Sequence, residues 1–371
     1  MKKRVLITGG AGFIGSHLAD ELIERGYEVR ALDNLSEQVH GPSAGRPEYL
    51  NSKVELIIGD VRDKAKVVEA LREVDAVFHF AAMVGVGQSM YQIKDYTDVN
   101  NVGTAVLLEA LTENPVSKLV VASSMSIYGE GLYKDETGNL VQECERQLSN
   151  LRNQDWEMYG ENNVAFTPLA TPEEKKPNLS SVYALSKYDQ ERLCLITGKA
   201  YNIPTIALRF FNVYGTRQAL SNPYTGVLAI FASRLLNDNP PLIFEDGLQK
   251  RDFVHVKDVA RACRLALETP EADGEVFNIG SGNQYTIREI ADKLSKVMGK
   301  DIAAQTTAKY RVGDIRHCFA DLSKAKAILG YEPQVNFEEG LTELAQWLEG
   351  QIAVDSVSKA TEELASRGLT V

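Results

Sequence analysis

The apolar positions in the first third of the chain fall into short β-branched runs separated by amphipathic stretches. "RVLITGG" (4–10), "EVRALD" (28–33), "KVELIIGD" (53–60), "DAVFHFAA" (75–82) and "KLVVASS" (118–124) are nearly continuous apolar runs. Between them "IGSHLADELIERG", "KAKVVEALREV" and "GTAVLLEALTEN" return apolar residues at helical spacing. Strands without polar alternation are covered on both faces, so the pattern predicts an α/β domain built on a doubly wound parallel sheet. It breaks at 133–179, a polar stretch of weak periodicity that reads as an insertion with a short helix of its own. A segment of that length inside a compact domain is either functional or mobile. The pattern resumes with a helix through "SSVYALSKYDQERLC" (180–194) and the strand "PTIALRFFNVYG" (204–215).

Past residue 215 the elements mix: helices over "YTGVLAIFASRLLN" (224–237), "VARACRLALET", "TIREIADKLSKVMG" and "FEEGLTELAQWLEGQ", with "EVFNIGSG" (275–282) as a strand. The predicted organisation is a first domain over 1–214 holding the insertion, then a smaller mixed α/β substrate domain over 215–350 that includes shared segments, then a helical tail over 351–371.

Composition narrows the partners. At 371 residues the chain has room for two domains, while a formal charge of −11 and a pI near 5.1 argue against a nucleic-acid surface or an anionic membrane. No apolar run approaches the roughly 20 residues needed to span a bilayer, and "MKKRVLITGG" reaches glycine too soon for a signal peptide, so a cytoplasmic protein is expected. Cys144, Cys194, Cys263 and Cys318 lie far apart without a CxxC, which suits reduced thiols. The histidines His17, His40, His79, His255 and His317 are equally scattered, and no metal site is expected.

Candidate chemistry begins at the first strand. Gly9, Gly12 and Gly15 follow it and open a helix, where a pyrophosphate can approach the backbone and the helix N-terminus favours its charge. This is the dinucleotide-binding turn of a Rossmann domain. Asp33 ends the second strand at the distance expected for a ribose contact; its charge would repel a 2′-phosphate, so NAD is expected rather than NADP. Asp60, at the end of the third strand, is suited either to an adenine contact or to capping a helix.

Two YxxxK spacings occur, Tyr49 with Lys53 and Tyr183 with Lys187. Tyr49 falls in the connection toward the adenine end, which makes it the decoy. Tyr183 and Lys187 lie one turn apart on a helix that should pack beside the strand ending in Ser123, Ser124 and Ser126. Taking a proton from a hydroxyl near neutral pH requires lowering a tyrosine by about three units, roughly 4 kcal/mol of phenolate stabilisation. A neighbouring lysine and the positive ring of oxidised NAD can supply it, and Ser124 can hold the same oxygen.

Together "TGGAGFIG", "SSMSIYG", the YxxxK helix and "RFFNVYG" resemble the extended short-chain dehydrogenases that modify nucleotide-sugars, over nearly the whole chain. The resemblance implies a catalytic set of Tyr183, Lys187 and Ser124, with Asn100 steadying the site. It extends the cofactor-binding set to Phe13, Ile14, Asn34, Val61, Phe80, Ala81, Ala82 and Phe210. On the substrate side it implies Ser126, Asn212 and Val227, with Arg251, Arg311 and Asp314 at the diphosphate and ribose. Members that dehydrate the sugar carry an acidic pair where this chain has Met125 and Ser126, and reductases use NADPH, which Asp33 disfavours. A non-catalytic member would typically have lost Tyr or Lys. The implied activity is redox-neutral C4 epimerisation of a nucleotide-diphosphate sugar. "LDNLSEQVHG", "GVGQSMYQIKDYTDVN" and the tail look most like a subgroup that includes dTDP-L-rhamnose 4-epimerases. UDP-glucose or UDP-glucuronate epimerisation, or 4-keto-sugar reduction, is the alternative. The family further implies a homodimer through the helices at 97–113 and 182–199.

Overall fold

The computed structural model describes residues 3–370 apart from 43, 44 and 225. Seven parallel strands form the central sheet: β1 (Arg4–Thr8), β2 (Glu28–Asp33), β3 (Glu55–Ile58), β4 (Ala76–His79), β5 (Lys118–Ser124), β6 (Thr205–Phe210) and β7 (Val276–Ile279), ordered β7-β6-β5-β4-β1-β2-β3. Successive residues of β1 supply opposite faces: Val5 and Ile7 pack into one apolar layer and Leu6 into the other. On the first face lie α1 (Phe13–Glu24) and a helix from far along the chain; on the second lie α2 (Lys64–Ala70), α3 (Gly103–Glu113) and α4 (Val182–Tyr201). Both faces are thereby covered, as the unbroken apolar strands require.

The strand in "EVFNIGSG", read among the elements beyond residue 215, is β7: Val276 to Ile279 pair parallel with Ala207 to Phe210. The chain first leaves this sheet through α5 (Val227–Leu236) and returns along α6 (Val256–Glu268), whose Val259, Ala260 and Cys263 pack in the same layer as Leu18 and Leu22 of α1. The helix predicted over 224–237 is α5, except that residue 225 lies outside the described residues. α7 (Ile287–Val297) opens with a reciprocal capping box between Thr286 and Glu289. With α8 (Phe337–Leu348) and α5 it encloses a separate core of Phe231, Ile290, Leu294, Leu341 and Leu344. The tail forms α9 (Val357–Ser366).

Between β5 and α4 the insertion is folded. It contributes a three-stranded antiparallel sheet, Leu132–Lys134 between Leu140–Val141 and Thr167–Leu169, and the short helix Leu148–Arg152. A buried set of charges fastens it to the later part of the chain. Arg146, with its side chain 3% exposed, pairs with Glu130 at 3.2 Å and Glu245 at 2.7 Å and donates to the Asp314 carbonyl at 2.8 Å. Arg316 in turn bridges Glu157, Glu245 and Asp246. Truncating one member of such a set strands its partners' charge in a dry interior. Arg146→Ala is expected to lose about 3 kcal/mol in chemical denaturation, with Arg146→Lys losing less; equal stability of all three proteins would show that Glu130 and Glu245 are relieved by another route.

Candidate active site

Thr8, Asp33, His79, Ser124 and Phe210 end five adjacent strands, so their side chains meet at the carboxyl edge where ligands bind in such sheets. A cleft of about 840 Å³ runs from this edge into the smaller core.

At one end the turn between β1 and α1 forms a cradle that no larger residue could make. A Cβ on Gly15 would stand 2.4 Å from the Gly9 carbonyl oxygen, and Gly9 itself sits at φ +71° with the Ala81 amide 3.0 Å from where its Cβ would be. Asp33 accepts from the Ala11 amide at 3.0 Å and the Leu35 amide at 2.9 Å, which fixes its carboxylate facing the cleft. Asp60 accepts from Asn34 and Arg62, and hydrogen bonds from Arg62 hold its carboxyl down to about 2 against the opposing effect of burial. The capping alternative for Asp60 is filled elsewhere, because Asp63 caps α2. Phe13, Ile14, Asn34, Val61, Phe80, Ala81, Ala82 and Phe210 line the same stretch.

At the middle stand Ser124, Tyr183 and Lys187. Ser181 caps α4 by accepting from the Ala184 amide, which sets Tyr183 in the first turn; the Tyr183 amide donates to Ser89 at 3.0 Å. Of the three serines at the end of β5 and just beyond it, Ser123 donates to buried Glu191 at 2.7 Å, itself paired with Arg209. Ser124 accepts from both the amide and the hydroxyl of Ser126, leaving its own proton for the cleft. Burial pushes the Tyr183 phenol up, and its hydrogen bond with Ser124 acts against that rise.

Beneath this trio lies a directional chain of buried polar groups. Lys187 donates to Gln190 at 2.7 Å, Gln190 donates to Thr104 at 2.9 Å, and Thr104 donates to the Asn100 carbonyl at 2.5 Å. His79 sits between Thr104 and Thr8 at 2.8 Å from each, pushed down to about 3 chiefly by burial and therefore neutral. Because Thr104 spends its proton on Asn100, His79 must donate from Nε2 and accept from Thr8 at Nδ1. Asn100 is the one predicted site residue that does not line the cleft: it holds the Met83 backbone and Ser186 from behind. Tyr49 is also outside the cleft, donating to the Ala11 carbonyl at 2.8 Å in a turn, not on a helix, and is thus no rival to Tyr183.

At the far end Arg251 and Arg311 face the cleft. Arg251 donates to the carbonyls of Lys250, Ile315 and Arg316 and, among the described residues, has no carboxylate within 4.0 Å. Arg311 is aimed by Asp314 at 2.7 Å. Asn212, Gln218 and Gln249 line the same cleft, and their side-chain oxygens are buried without a hydrogen-bond partner among the described residues. Ser126 and Val227 complete the predicted set in this wall. Sequence reasoning did not anticipate Gln88, Asn222, Tyr224 or the tail residues Val357, Ala360, Thr361 and Leu364, which also line it; only the helical spacing of the last four was visible in advance.

A glycine cradle, a carboxylate lining the cleft beside it and a Ser–Tyr–Lys trio on a doubly wound sheet are the features of a nicotinamide-dependent short-chain oxidoreductase scaffold. Residues 5–146 and 156–280 match the model of the NAD dependent epimerase/dehydratase family, and the chain belongs to that family. It is 34% identical to a dTDP-L-rhamnose 4-epimerase of Burkholderia thailandensis, over 93% of this chain and 95% of the relative. It is 33% identical to a putative UDP-glucose 4-epimerase of Methanocaldococcus jannaschii, over 93% and 98%. The crystal structure of a Thermus thermophilus UDP-glucose 4-epimerase in complex with NAD superposes with a TM-score of 0.74 at 33% identity, over 94% of this chain and 100% of that one. The cofactor is NAD, and the cradle, Asp33 and the wall around Phe80 to Ala82 would hold it.

Burial lowers the Lys187 ammonium from 10.5 to about 8, so the folded chain releases this proton before the unfolded chain does. Stability linked to this group therefore rises as pH climbs from about 8 to 10.5 and is penalised below it. Lys187→Met is expected to raise the melting temperature of the NAD-free protein at pH 7 by about 2 °C or more, the gain shrinking across that window. A variant that melts lower at pH 7 would show that the bond to Gln190 outweighs the cost of burying the charge.

Proposed function

We propose that this chain, an NAD-dependent nucleotide-sugar epimerase, inverts C4 of its substrate through a 4-keto intermediate, and that the substrate is a dTDP-6-deoxyhexose such as dTDP-L-rhamnose. One observation carries the reaction: Ser124, Tyr183 and Lys187 stand midway between the glycine cradle and two guanidiniums in a single cleft. Bound NAD supplies reversible hydride acceptance at C4. Tyr183 takes the C4 hydroxyl proton and later returns it; Lys187, kept cationic below about pH 8, lowers the cost of the phenolate. Ser124 donates to the C4 oxygen as it becomes a ketone. Arg251 and Arg311 grip the diphosphate, so the keto sugar can turn over while its nucleotide stays bound. Met125 and Ser126 offer no carboxyl group to protonate a departing C6 hydroxyl, which argues against dehydration.

The relative in Burkholderia thailandensis supports this sugar. UDP-glucose is the second reading, supported by the nearly equal identity to the Methanocaldococcus jannaschii protein. The test is NMR of purified protein, without added cofactor, incubated in turn with dTDP-L-rhamnose, UDP-glucose and UDP-glucuronate. The C4 epimer of dTDP-L-rhamnose is the expected product; an epimer of another sugar alone would replace the substrate, and none with NAD bound would remove the reaction. Tyr183→Phe should lose turnover about 10²–10⁴-fold while retaining NAD by absorbance; full activity in that variant would remove Tyr183 from its role.

A homodimer is part of the proposal. Leu185, Leu193 and Ile196 form an exposed apolar stripe on α4, and Val102 is exposed just before α3. Leu193→Glu with Ile196→Glu should convert a dimer to a monomer in light scattering after size exclusion; an unchanged mass would move the interface elsewhere.

The four free cysteines, three of them buried, fit a reducing compartment, and we place the enzyme in the cytoplasm.

A further inference from the structure

The tail is strapped across the cleft at both ends. On entry, Asn237 donates to the Ala353 carbonyl at 2.9 Å, and Asp355 takes Arg234 at 3.1 Å and Asn239 at 2.9 Å, with the Arg234 and Asp355 side chains 8% and 10% exposed. On exit, Val312 donates to the Leu369 carbonyl at 2.9 Å and Thr370 forms a bridge with Arg311. Arg367 lies 4.5 Å over the ring of Tyr91, whose hydroxyl meets Tyr224 at 2.6 Å. A segment held in this way has a fixed face.

That face is apolar. Val357, Ala360, Thr361 and Leu364 recur at i, i+3, i+4 and i+7, and all four line the cleft, while Lys359, Glu362 and Ala365 point to solvent. Ala360 and Leu364 are buried, and Leu364 lies 3.3 Å from the point where a Cβ on Gly87 would stand. Gly87 is two residues from Ser89, which binds the Tyr183 amide. The tail thus approaches the wall next to the tyrosine at which C4 must react. Nearby polar side chains include amides and phenols, Gln88 bonding with Gln38 and Tyr96 and Gln38 with Asn222, and the Arg311 Cδ lies 3.6 Å from the same point above Gly87. Of the cleft's cations, Arg311 is paired with Asp314, Lys187 donates to Gln190, and Arg251 is held by backbone carbonyls.

We infer that α9 closes the sugar end of the cleft and selects a hexose whose C5 substituent is uncharged, methyl or hydroxymethyl, over a uronate. The C5 substituent is adjacent to C4, so a C4 hydroxyl at Tyr183 brings it toward Gly87 and the methyl groups of Leu364 and Val357. A methyl group gains from leaving water there, whereas a carboxylate loses its hydration with only Thr361 to offer a hydrogen bond from this helix. The inference rests on the epimerase reading and deepens it.

The test compares UDP-glucose with UDP-glucuronate as kcat/KM for C4 inversion, and as Kd by calorimetry on the NAD-bound protein, which needs no turnover. Wild type should favour the uncharged sugar by at least about tenfold. Thr361→Lys and Leu364→Lys should each shift that ratio toward the uronate by about tenfold or more. Ala365→Lys, on the solvent face of the same helix, should leave the ratio unchanged. Because a lysine at buried Leu364 could dislodge the helix, half-buried Thr361 decides. An unchanged ratio in Thr361→Lys, a shift of equal size in Ala365→Lys, or a wild-type preference for the uronate overturns the inference. Binding selectivity that shifts as stated without C4 inversion by wild type would overturn the reaction and keep the role of α9.

Discussion

The site depends on keeping one ammonium group charged where little water reaches it. Lys187 is 3% exposed, and burial favours its neutral form. The ammonium heads a hydrogen-bond chain whose direction is determined along its length: Gln190 accepts from Lys187, Thr104 accepts from Gln190, and the Asn100 carbonyl accepts from Thr104. Neutral His79 closes the chain onto Thr8. These residues come from α4, α3, the π-turn Thr97–Val102, β4 and β1, so the sheet order itself is a condition for placing the charge. The wider turn at 97–102 has a reason here, since it brings Asn100 to Met83 and Ser186 while leaving its carbonyl for Thr104.

The same economy of position governs the cleft's two ends. A chain of formal charge −11 presents guanidiniums where a diphosphate would lie, and one of them, Arg251, is tied to backbone carbonyls instead of to a carboxylate. Burial lowers its pKa, against the more distant carboxylates of Asp314, Glu130 and Glu245. At the cofactor end the sign reverses: Asp33 accepts two amides and still faces the cleft, a donor-seeking carboxylate beside a glycine cradle. Net charge described the surface; local pairing describes the site.

Much of this was readable from residues alone where the information is local. The glycine turn, Asp33 at a strand end and the helical Tyr183–Lys187 pair each announce themselves within a few positions. Tyr49 and Tyr183 share a spacing, and only their place in the alternation of strands and helices separated them. What could not be read was set by distant partners. Ser123 and Ser124 are indistinguishable as letters, and the fold sends the Ser123 hydroxyl to Glu191 while Ser124 accepts from Ser126. Val276–Ile279 has the composition of any buried strand, and its membership in the main sheet depends on the return path through α6. Nothing in the polar insertion singles out Arg146; its two buried carboxylates lie 16 residues before it and 99 after it.

The insertion and the tail, the two segments least regular in sequence, converge on the same short stretch. Arg146 donates to the Asp314 carbonyl, and Leu369 accepts from the Val312 amide. Those anchors fall within the stretch 311–314 that carries the pair Arg311 and Asp314, one face of the proposed diphosphate and ribose site. The proton-transfer groups themselves stand on β5 and α4, whereas the insertion and the tail both anchor the stretch around Arg311. Such a division lets the insertion and the tail change which sugar enters without disturbing the proton-transfer groups. It also means that the two are coupled: loosening either one frees the backbone that aims Arg311, so their effects on substrate affinity should not be independent.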